Sequence, residues 1–304
     1  PIALRLEGDL HLGALERSLQ ELLARHESLR TRFEMVAGTP VQYVEDTVRF
    51  ELPPEDLTQI QQPLQDQMLR KRLWNEAHQP FDLQHALPFR ASLLRLAIDS
   101  HVLLLTMHHI VCDGWSIGIL TRELSALYAT YVHDERSLLP PLPIQYADYA
   151  LWQRSWLRGD VLERQLSYWR ERLAGTQTLQ LPTDRSRPTV QRFKGASLPF
   201  HLSRELSERL TALSRREGVT LYMVLLAGPQ ALPARYSAQD DVVVGCGIAG
   251  RTHRALEGLI GFFVNTLVLR TNVPRELSFL EVLTRVRETT LGAYAHQDVP
   301  FEKL

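Results

Sequence analysis

The chain has 304 residues, which at roughly 150 residues per domain predicts two domains or one large one. Its 34 basic and 35 acidic side chains give a net charge of −1, which argues against a protein that coats nucleic acid or an anionic membrane. Cys112 and Cys246 form neither a CxxC pair nor a zinc spacing, so a disulfide framework or a bound metal is not expected. No run of 18 apolar residues and no signal-peptide pattern occurs, so we expect a cytoplasmic enzyme or binding module.

The hydrophobic pattern predicts a mixture of strands and helices up to about residue 175. Alternating or continuous apolar runs predict strands at 2–7, 29–35, 41–44, 89–98 and 102–111. Apolar residues spaced by three and four predict helices at 12–26 and 116–132. Helices are also expected at 64–78 and, rich in aromatic residues, at 146–157 and 161–174. Gly175 follows the last of these helices and is expected to be its C-cap.

Residues 176–195 show no period and are expected to be a linker between two domains. Beyond them the sequence predicts strands at 196–201, 241–248 and 262–271 and a helix at 220–235. Ser203 and the pair Ser278 and Glu281 are expected to start two more helices, as an N-cap and a capping box. The predicted fold class is therefore α+β, with two-layer α/β sandwich lobes at 1–175 and 196–304.

Both ends of the chain fall within predicted elements. The sequence opens in a strand, PIALRLEGDL, and closes at FEKL where a helix is expected to begin. Because domain ends are usually polar and frayed, we expect an internal fragment of a longer polypeptide.

The segment MHHIVCDGWS, residues 107–116, is the strongest candidate for a site. It lies where a buried strand ends and a helix begins, so its side chains are placed beside the positive end of a helix dipole. A carboxylate four residues after His109 can fix the orientation and tautomer of its ring. Because adjacent strand residues point to opposite faces, His108 and His109 should not share a pocket, and the spacing favours His109 as functional and His108 as structural.

Other chemistries are open to the same segment but are less favoured. A lone histidine in an apolar strand is more often a buried structural residue than a catalytic one. His108, His109 and Asp113 could supply metal ligands, but strand alternation removes one of the three. Cys112 as a nucleophile has no obvious base beside it.

HHIVCDGWS resembles the HHxxxDG signature of condensation domains from nonribosomal peptide synthetases. Further segments resemble other core motifs of that family in the expected order: RHESLRTRF (25–33), YADYALW (146–152), IGFFVNTLVLR (260–270) and HQDVPFE (296–302). The family's first and seventh motifs are absent, which agrees with an incomplete domain of two lobes.

The resemblance implies two chloramphenicol acetyltransferase-like lobes in a V-shaped pseudo-dimer with a tunnel between them, the C-terminal lobe being incomplete. It implies that upstream and downstream peptidyl carrier domains, beside an adenylation domain, bring acyl groups as thioesters on phosphopantetheine arms. The acceptor amine then attacks the donor thioester and forms a peptide bond. The domain itself is expected to bind no cofactor, no metal, no nucleic acid and no membrane.

The resemblance also implies roles for individual residues. His109 acts as a general base or positions the attacking amine, and the N–H of Gly114 contacts the developing oxyanion. Asp113 is expected to be structural and to pair with an arginine, Arg251 as the first candidate and Arg30 as the second. Three more residues are assigned to the tunnel or the lobe interface: Trp115, Ser116 and Asn265. The aromatic residues of YADYALW are expected to pack, and His296, Gln297 and Asp298 to cap a helix end.

One departure from the family concerns the helix expected at 220–235, which contains Pro229 and Pro233. Interior proline removes a hydrogen bond, so a kinked or shortened helix, or a weakened second lobe, is expected.

Two alternative functions remain. One is an epimerization domain or another acyltransferase of the same superfamily, and the other is a recruiting module without catalysis.

Overall fold

The computed structural model describes residues 1–186, 188–190 and 195–304, and these form two units. The first unit contains Pro1–Trp156 and Arg251–Val264, and the second contains Leu157–Gly250 and Asn265–Leu304. This division differs from the expected boundaries, because the first unit ends near 156 and regains a segment from the second half of the chain. Of the expected linker 176–195, residues 187 and 191–194 lie outside the described residues.

In chain order the elements of the first unit are β1 (Ile2–Glu7), α1 (Leu12–Arg25), β2 (Thr31–Val36), β3 (Thr39–Val44), β4 (Pro54–Asp56), α2 (Leu64–His78), β5 (Phe89–Ala97), β6 (Ser100–Met107), α3 (Gly114–Val132) and α4 (Tyr146–Trp156). The unit is built on a four-stranded sheet with the order β1–β6–β5–β4, in which β4 runs parallel to β5 and the other neighbours are antiparallel. The strands β2 and β3 form a separate hairpin.

The central strand β6 is buried along almost its whole length, and its residues from Val102 to Leu105 are apolar because both faces of the strand are covered. Leu103 and Leu105 pack with residues of α1 and α3 in the main core of the unit. Val102 and Leu104 point the other way and pack with residues of α2 in a smaller cluster. This is the period-two alternation of a strand that is buried on both sides.

The second unit contains a two-stranded antiparallel sheet covered by helices. Its elements are α5 (Gly159–Leu173), α6 (Arg204–Arg216), α7 (Leu221–Ser237), β7 (Asp241–Ile248), β8 (Asn265–Asn272) and α8 (Phe279–Ala295). Its core joins Trp169 of α5 to apolar residues of α7, α8 and both strands. The indole of Trp169 donates to the carbonyl of His296 at 2.8 Å, which satisfies its polar atom inside the core.

Several local expectations agree with this structure. Ser203 accepts a hydrogen bond from Leu206 N and starts α6, and Ser278 and Glu281 form a reciprocal capping box at the start of α8. Gly175 follows α5 with a φ of 68°, the left-handed conformation that glycine adopts without strain.

Other expectations are corrected by the structure. Residues 196–201 form no strand, and Leu198 and Phe200 are largely exposed there, so a short apolar run without a sheet partner stays irregular. The strand expected at 262–271 begins only at Asn265. The helix α7 is not shortened by Pro229 and Pro233, because its buried face packs in the core of the second unit and this tertiary packing offsets the lost hydrogen bonds.

Candidate active site

The segment 107–116 changes conformation at almost every residue. The strand β6 ends at Met107, His108 is extended, His109–Val111 form one turn of 3₁₀ helix, and Asp113 is the N-cap of α3. The Asp113 carboxylate accepts the backbone N–H of Ser116 at 2.9 Å, which explains why the helix begins here. The junction thus presents several side chains and the open N-terminus of a helix within a few residues.

His109 is exposed, and its ring meets the ring of Phe262 edge-on at a centroid distance of 5.2 Å. Among residues 1–186, 188–190 and 195–304, neither ring nitrogen of His109 has a hydrogen-bond partner. The imidazole is therefore available for a substrate while Phe262 restrains its orientation.

His108 has a different environment from its neighbour. Its Nδ1 accepts the N–H of Ile110 at 3.0 Å, and its ring lies edge-on to Phe81 at 5.7 Å. Partial burial and then the charge of His109 lower the pKa of His108, which favours the neutral ring that this acceptor role needs. The two histidines thus contact different parts of the unit.

Asp113 and Arg251 form an ion pair in which both side chains are almost fully buried. Nη2 of Arg251 lies 3.3 Å from Oδ1 of Asp113, and Oδ2 of the same carboxylate accepts the N–H of Phe263 at 3.0 Å. Burial raises the pKa of Asp113, but the hydrogen bonds from Ser116 and Phe263 and the charge of Arg251 outweigh it and hold the pKa below its usual value. Asp113 is therefore ionised at neutral pH and cannot act as an acid.

Arg251 is bound on several sides. It donates to the carbonyls of Leu256 and Leu259, the latter at 2.8 Å, and its guanidinium lies 4.1 Å from the ring centre of Phe263. Burial lowers the pKa of Arg251 and Asp113 opposes this shift. The arginine thereby holds the turn at 254–259 as well as the carboxylate.

Residues 251–264, which we name the docked segment, are bound through their backbone to the rest of the first unit, Pro1–Trp156. Ser116 Oγ accepts Gly261 N at 3.1 Å and Arg251 Nη2 at 3.0 Å. The same oxygen lies 2.7 Å from Asp113 Oδ1 and 2.9 Å from the carbonyl of Gly261, and its single proton goes to one of these two acceptors. The signature motif therefore holds this backbone as well as presenting His109.

Other sequence motifs hold neighbouring peptide groups of the docked segment. Ser28 Oγ donates to the carbonyl of Ile260 at 2.7 Å, and His26 Nδ1 accepts the N–H of the same residue at 3.3 Å. Tyr146 Oη donates to the carbonyl of Phe262 at 2.8 Å. The sequence analysis did not identify His26 and Ser28 as residues of the site. Both are polar residues within the recognised motif RHESLRTRF, and this position was a signal that could have identified them.

The remaining predicted residues of the first unit lie as follows. Gly114 is exposed and is the first residue of α3. Trp115 is half exposed, and its indole donates to the carbonyl of Glu257 at 3.1 Å. Arg30 does not reach Asp113, because its guanidinium donates to the carbonyl of Glu45 and lies 3.5 Å from Glu27. Of the two candidate partners for Asp113, the structure therefore pairs only Arg251 with it.

Asn265 organises the second unit from within. Its Nδ2 donates to the carbonyls of Gln297 and Val299 at 2.9 and 2.7 Å, and its Oδ1 accepts the N–H of Phe301 at 3.1 Å. By bonding these three backbone groups, the half-buried Asn265 fixes the loop HQDVPFE after α8.

The structure disfavours Cys112 as a nucleophile. Cys112 is buried, and burial, together with the nearby Asp113, raises the pKa of its thiol to about 11. The nucleophilic thiolate is therefore scarce at neutral pH. Among the described residues no group of three or more His, Cys, Asp or Glu side chains could hold a metal ion. None of the helices in this part of the chain has the length and the hydropathy of a membrane-spanning segment.

The fold and the site together define an α+β domain that presents a histidine at a strand–helix junction beside the docked segment. The family model of the condensation domain matches residues 1–304. The chain is 50% identical over 305 residues to one of the proteins of linear gramicidin synthase from Brevibacillus parabrevis, and 46% identical over 308 residues to malpibaldin synthetase of Mortierella alpina. Each match covers 100% of this chain and 6% of the relative, so the chain spans a small part of both synthetases. The chain belongs to the condensation-domain family, whose general function is peptide-bond formation within multidomain synthetases.

Solved structures agree with this assignment. The X-domain in its complex with OxyB from teicoplanin biosynthesis is 34% identical, with a TM-score of 0.89, covering 99% of this chain and 66% of that one. The first condensation domain of the calcium-dependent antibiotic synthetase, bound to a substrate analogue, is 24% identical with a TM-score of 0.76, covering 99% and 71%. The second match supports the fold alone. The predicted α+β class is confirmed.

Proposed function

We propose that this chain joins a donor aminoacyl or peptidyl thioester to the amine of an acceptor aminoacyl thioester, both carried by neighbouring carrier domains. The observation that carries the proposal is the intact signature: His109 is exposed at the end of β6, while Asp113 and Arg251 form a buried pair beside it. The adenylation and carrier domains of a synthetase would be its partners, and the phosphopantetheine arms would belong to the carriers.

The main requirement of this reaction is that the protein orients the acceptor amine toward the donor thioester. The acceptor nitrogen attacks the thioester carbonyl, the C–N bond forms, the C–S bond breaks, and the proton lost by the amine ends on the donor thiol. Because an amine with a pKa near 8 is partly neutral at physiological pH, His109 can act by receiving this proton or by holding the amine in line with the carbonyl. Orientation alone supplies a large part of such rate enhancements.

Gly114 provides a second group for this reaction. As the first residue of α3 it has a backbone N–H at the positive end of the helix, where the first N–H groups lack intrahelical partners. An N–H in this position stabilises an oxyanion that develops on the thioester carbonyl.

The test compares wild type and His109→Ala with defined donor and acceptor carriers, following the dipeptidyl carrier. We expect the variant to be slower by about 10²- to 10⁴-fold with unchanged thermal stability, because His109 is exposed. His133→Ala, which alters an exposed histidine at the end of α3, is the matched control and should retain full activity. Equal rates for His109→Ala and wild type would disprove the role of His109.

A second candidate function is a recruiting module that keeps the fold without the reaction. It is favoured by the high structural similarity to an X-domain that was solved in complex with another protein. Against it stand the retained His108, His109, Asp113 and Gly114, since modules of this kind usually carry a damaged signature. Failure of the wild-type protein to form product with every donor tested would favour this second function.

A further inference from the structure

His26 is a buried histidine at the end of α1, away from the signature motif in sequence. Its Nε2 lies 2.8 Å from Oε2 of Glu123 on α3, and the same carboxylate oxygen accepts Nε of Arg25 at 3.1 Å. Its Nδ1 accepts the N–H of Ile260 at 3.3 Å. His26 thus joins a buried carboxylate of the first unit to the backbone of the docked segment.

These contacts define the state of the ring. Because Nδ1 accepts a hydrogen bond from a backbone N–H, it carries no proton, and the single proton lies on Nε2 and is donated to Glu123. Burial lowers the pKa of His26 and Glu123 opposes the shift, so the ring is neutral at physiological pH. Glu123 therefore fixes the tautomer that Ile260 requires.

The peptide group held by His26 lies two residues before Phe262. Ser28 holds the carbonyl of Ile260 and Tyr146 holds the carbonyl of Phe262, so the backbone on both sides of Gly261 is fixed. This backbone carries the ring of Phe262, which contacts the imidazole of His109 edge-on. A shift of Ile260 therefore moves the contact that restrains His109.

We propose that His26 is a positioning residue for the reaction at His109, acting through Ile260 and Phe262 of the docked segment. The inference rests on the proposed role of His109 in condensation. His26 does not touch the substrate in this scheme. Its function is to keep the ring of Phe262, and through it the imidazole of His109, in one orientation. Displacements of about 1 Å at a reacting group can reduce rates by about 10²-fold.

The test uses two variants that divide the two hydrogen bonds of His26. In His26→Asn the side-chain oxygen occupies the place of Nδ1, so it accepts the N–H of Ile260 but does not reach Glu123. In His26→Gln the amide extends to the place of Nε2, so it reaches Glu123 and leaves Ile260 N without its acceptor. Leu19→Val is a control that removes one methylene from the buried core of the same unit without altering a hydrogen bond to the docked segment.

The first readout is the imidazole resonance of His109 in the ¹³C-histidine-labelled 304-residue chain, assigned with His109→Gln. Phe262→Leu, which removes the aromatic ring current, gives the reference shift. We expect His26→Gln to move the resonance in the direction of Phe262→Leu and His26→Asn to leave it near the wild-type position. An unmoved resonance in His26→Gln overturns the proposal whatever the activity is.

The second readout is condensation between loaded carriers, measured in the complete synthetase module. We expect kcat to fall by about 10- to 100-fold in His26→Gln with little change in KM, and to be largely retained in His26→Asn and Leu19→Val. A displaced His109 resonance with an unchanged kcat in His26→Gln overturns the positioning role. Full activity of His109→Ala would instead contradict the proposed function, so the two failures are distinguishable.

Discussion

The carboxylate of Asp113 and the guanidinium of Arg251 lie 3.3 Å apart although 138 residues separate them in sequence. Both side chains are almost completely excluded from solvent. The pair fixes the start of α3 to the docked segment. One ion pair thus maintains both the junction that presents His109 and the backbone that carries Phe262, whose ring contacts His109.

Breaking this pair should destabilise the first unit strongly. We expect Asp113→Ala to lower the free energy of unfolding by about 3–5 kcal/mol, because the buried guanidinium loses its counter-charge. Chemical denaturation of the variant and the wild type measures this difference. Arg204→Ala, which removes an exposed i,i+4 ion pair with Glu208, is the control and should change stability by less than about 1 kcal/mol. If the two variants lost similar amounts of unfolding free energy, the buried pair would contribute no more to stability than an exposed ion pair does.

Gly261 is expected to tolerate no side chain. A Cβ at this position would lie 2.7 Å from the ring of Phe263 and closer still to the ring of Tyr146. We expect Gly261→Ala to cost about 1–3 kcal/mol through overpacking and to reduce condensation activity, because the backbone beside Phe262 must move.

A matched glycine provides the control for this experiment. Gly118 is exposed within α3, and a Cβ there meets no atom within 4 Å. Gly118→Ala should therefore stabilise the protein, by up to about 1 kcal/mol through helix propensity. Thermal and chemical unfolding of both variants measure the contrast, and a Gly261→Ala protein as stable as wild type would contradict the tight approach.

The backbone N–H of Gly114 can be removed without disturbing the helix. Proline is well accepted at the first position of a helix, and Asp113 before it is already extended, as a residue preceding proline must be. We expect Gly114→Pro to fold normally and to lower kcat by about 10²-fold, the usual cost of one lost oxyanion donor.

Gly114→Ala keeps the N–H and meets no atom within 4 Å, so it is the matched control and should retain most of the activity. Carrier-bound product formation and far-ultraviolet circular dichroism together separate catalysis from folding. Equal activity of the proline and alanine variants would remove Gly114 from the mechanism.

Cys112 should be inert toward thiol reagents in the folded protein. Its thiol is buried with a pKa of about 11, whereas Cys246 is half-buried. We expect iodoacetamide at pH 8 to modify Cys246 before Cys112, as followed by peptide mass spectrometry, and to modify both in denaturant. Cys112→Ser should retain condensation activity, and its loss together with rapid alkylation of Cys112 would support a nucleophilic role.

Stability should fall on acidification through the titration of His26. In the unfolded chain the pKa of His26 is about 6.5, and burial holds its pKa in the folded protein below that value. At a pH between the folded-state and the unfolded-state pKa, the unfolded chain therefore binds a proton that the folded protein does not. The free energy of unfolding therefore decreases as pH falls below about 6.5, with a slope for this residue of at most about 1.4 kcal/mol per pH unit, and levels off below the folded-state pKa.

Denaturation midpoints at intervals from pH 7.5 to pH 5 test this expectation. His26→Asn should show a shallower decline, while the contributions of His101 and His108, whose pKa values are also lowered, remain in both proteins. Glu123, the carboxylate facing His26, has a lowered pKa of its own and adds a further loss only below its ordinary value of about 4.5. Parallel curves for the two proteins would show that His26 does not titrate in this range.

Local order is what the sequence by itself determined. The helices α1 and α2, the N-cap of α6 and the capping box of α8 depend on signals that act over a few residues, and the structure has them where the sequence predicts them. The strand expected at 102–111 is found only in part, because β6 ends at Met107 and His109–Val111 form a turn of 3₁₀ helix. The motif order also sufficed for the family, and the chemistry of an Asp near a His sufficed to single out the signature segment. Local signals failed where an element depends on a partner, as in the missing strand at 196–201 and the full length of α7 despite two prolines.

Only the tertiary structure decided which distant groups meet. The linker expected at 176–195 assigned residues 251–264 to the C-terminal lobe, yet packing places them with the first unit. Nothing local to His26 or Ser28 indicates that they bind the N–H and the carbonyl of Ile260. Such contacts arise because buried backbone groups need hydrogen-bond partners, which the tertiary fold supplies. The sequence thus determined the candidate chemistry at His109, and the fold decided which residues hold it in place.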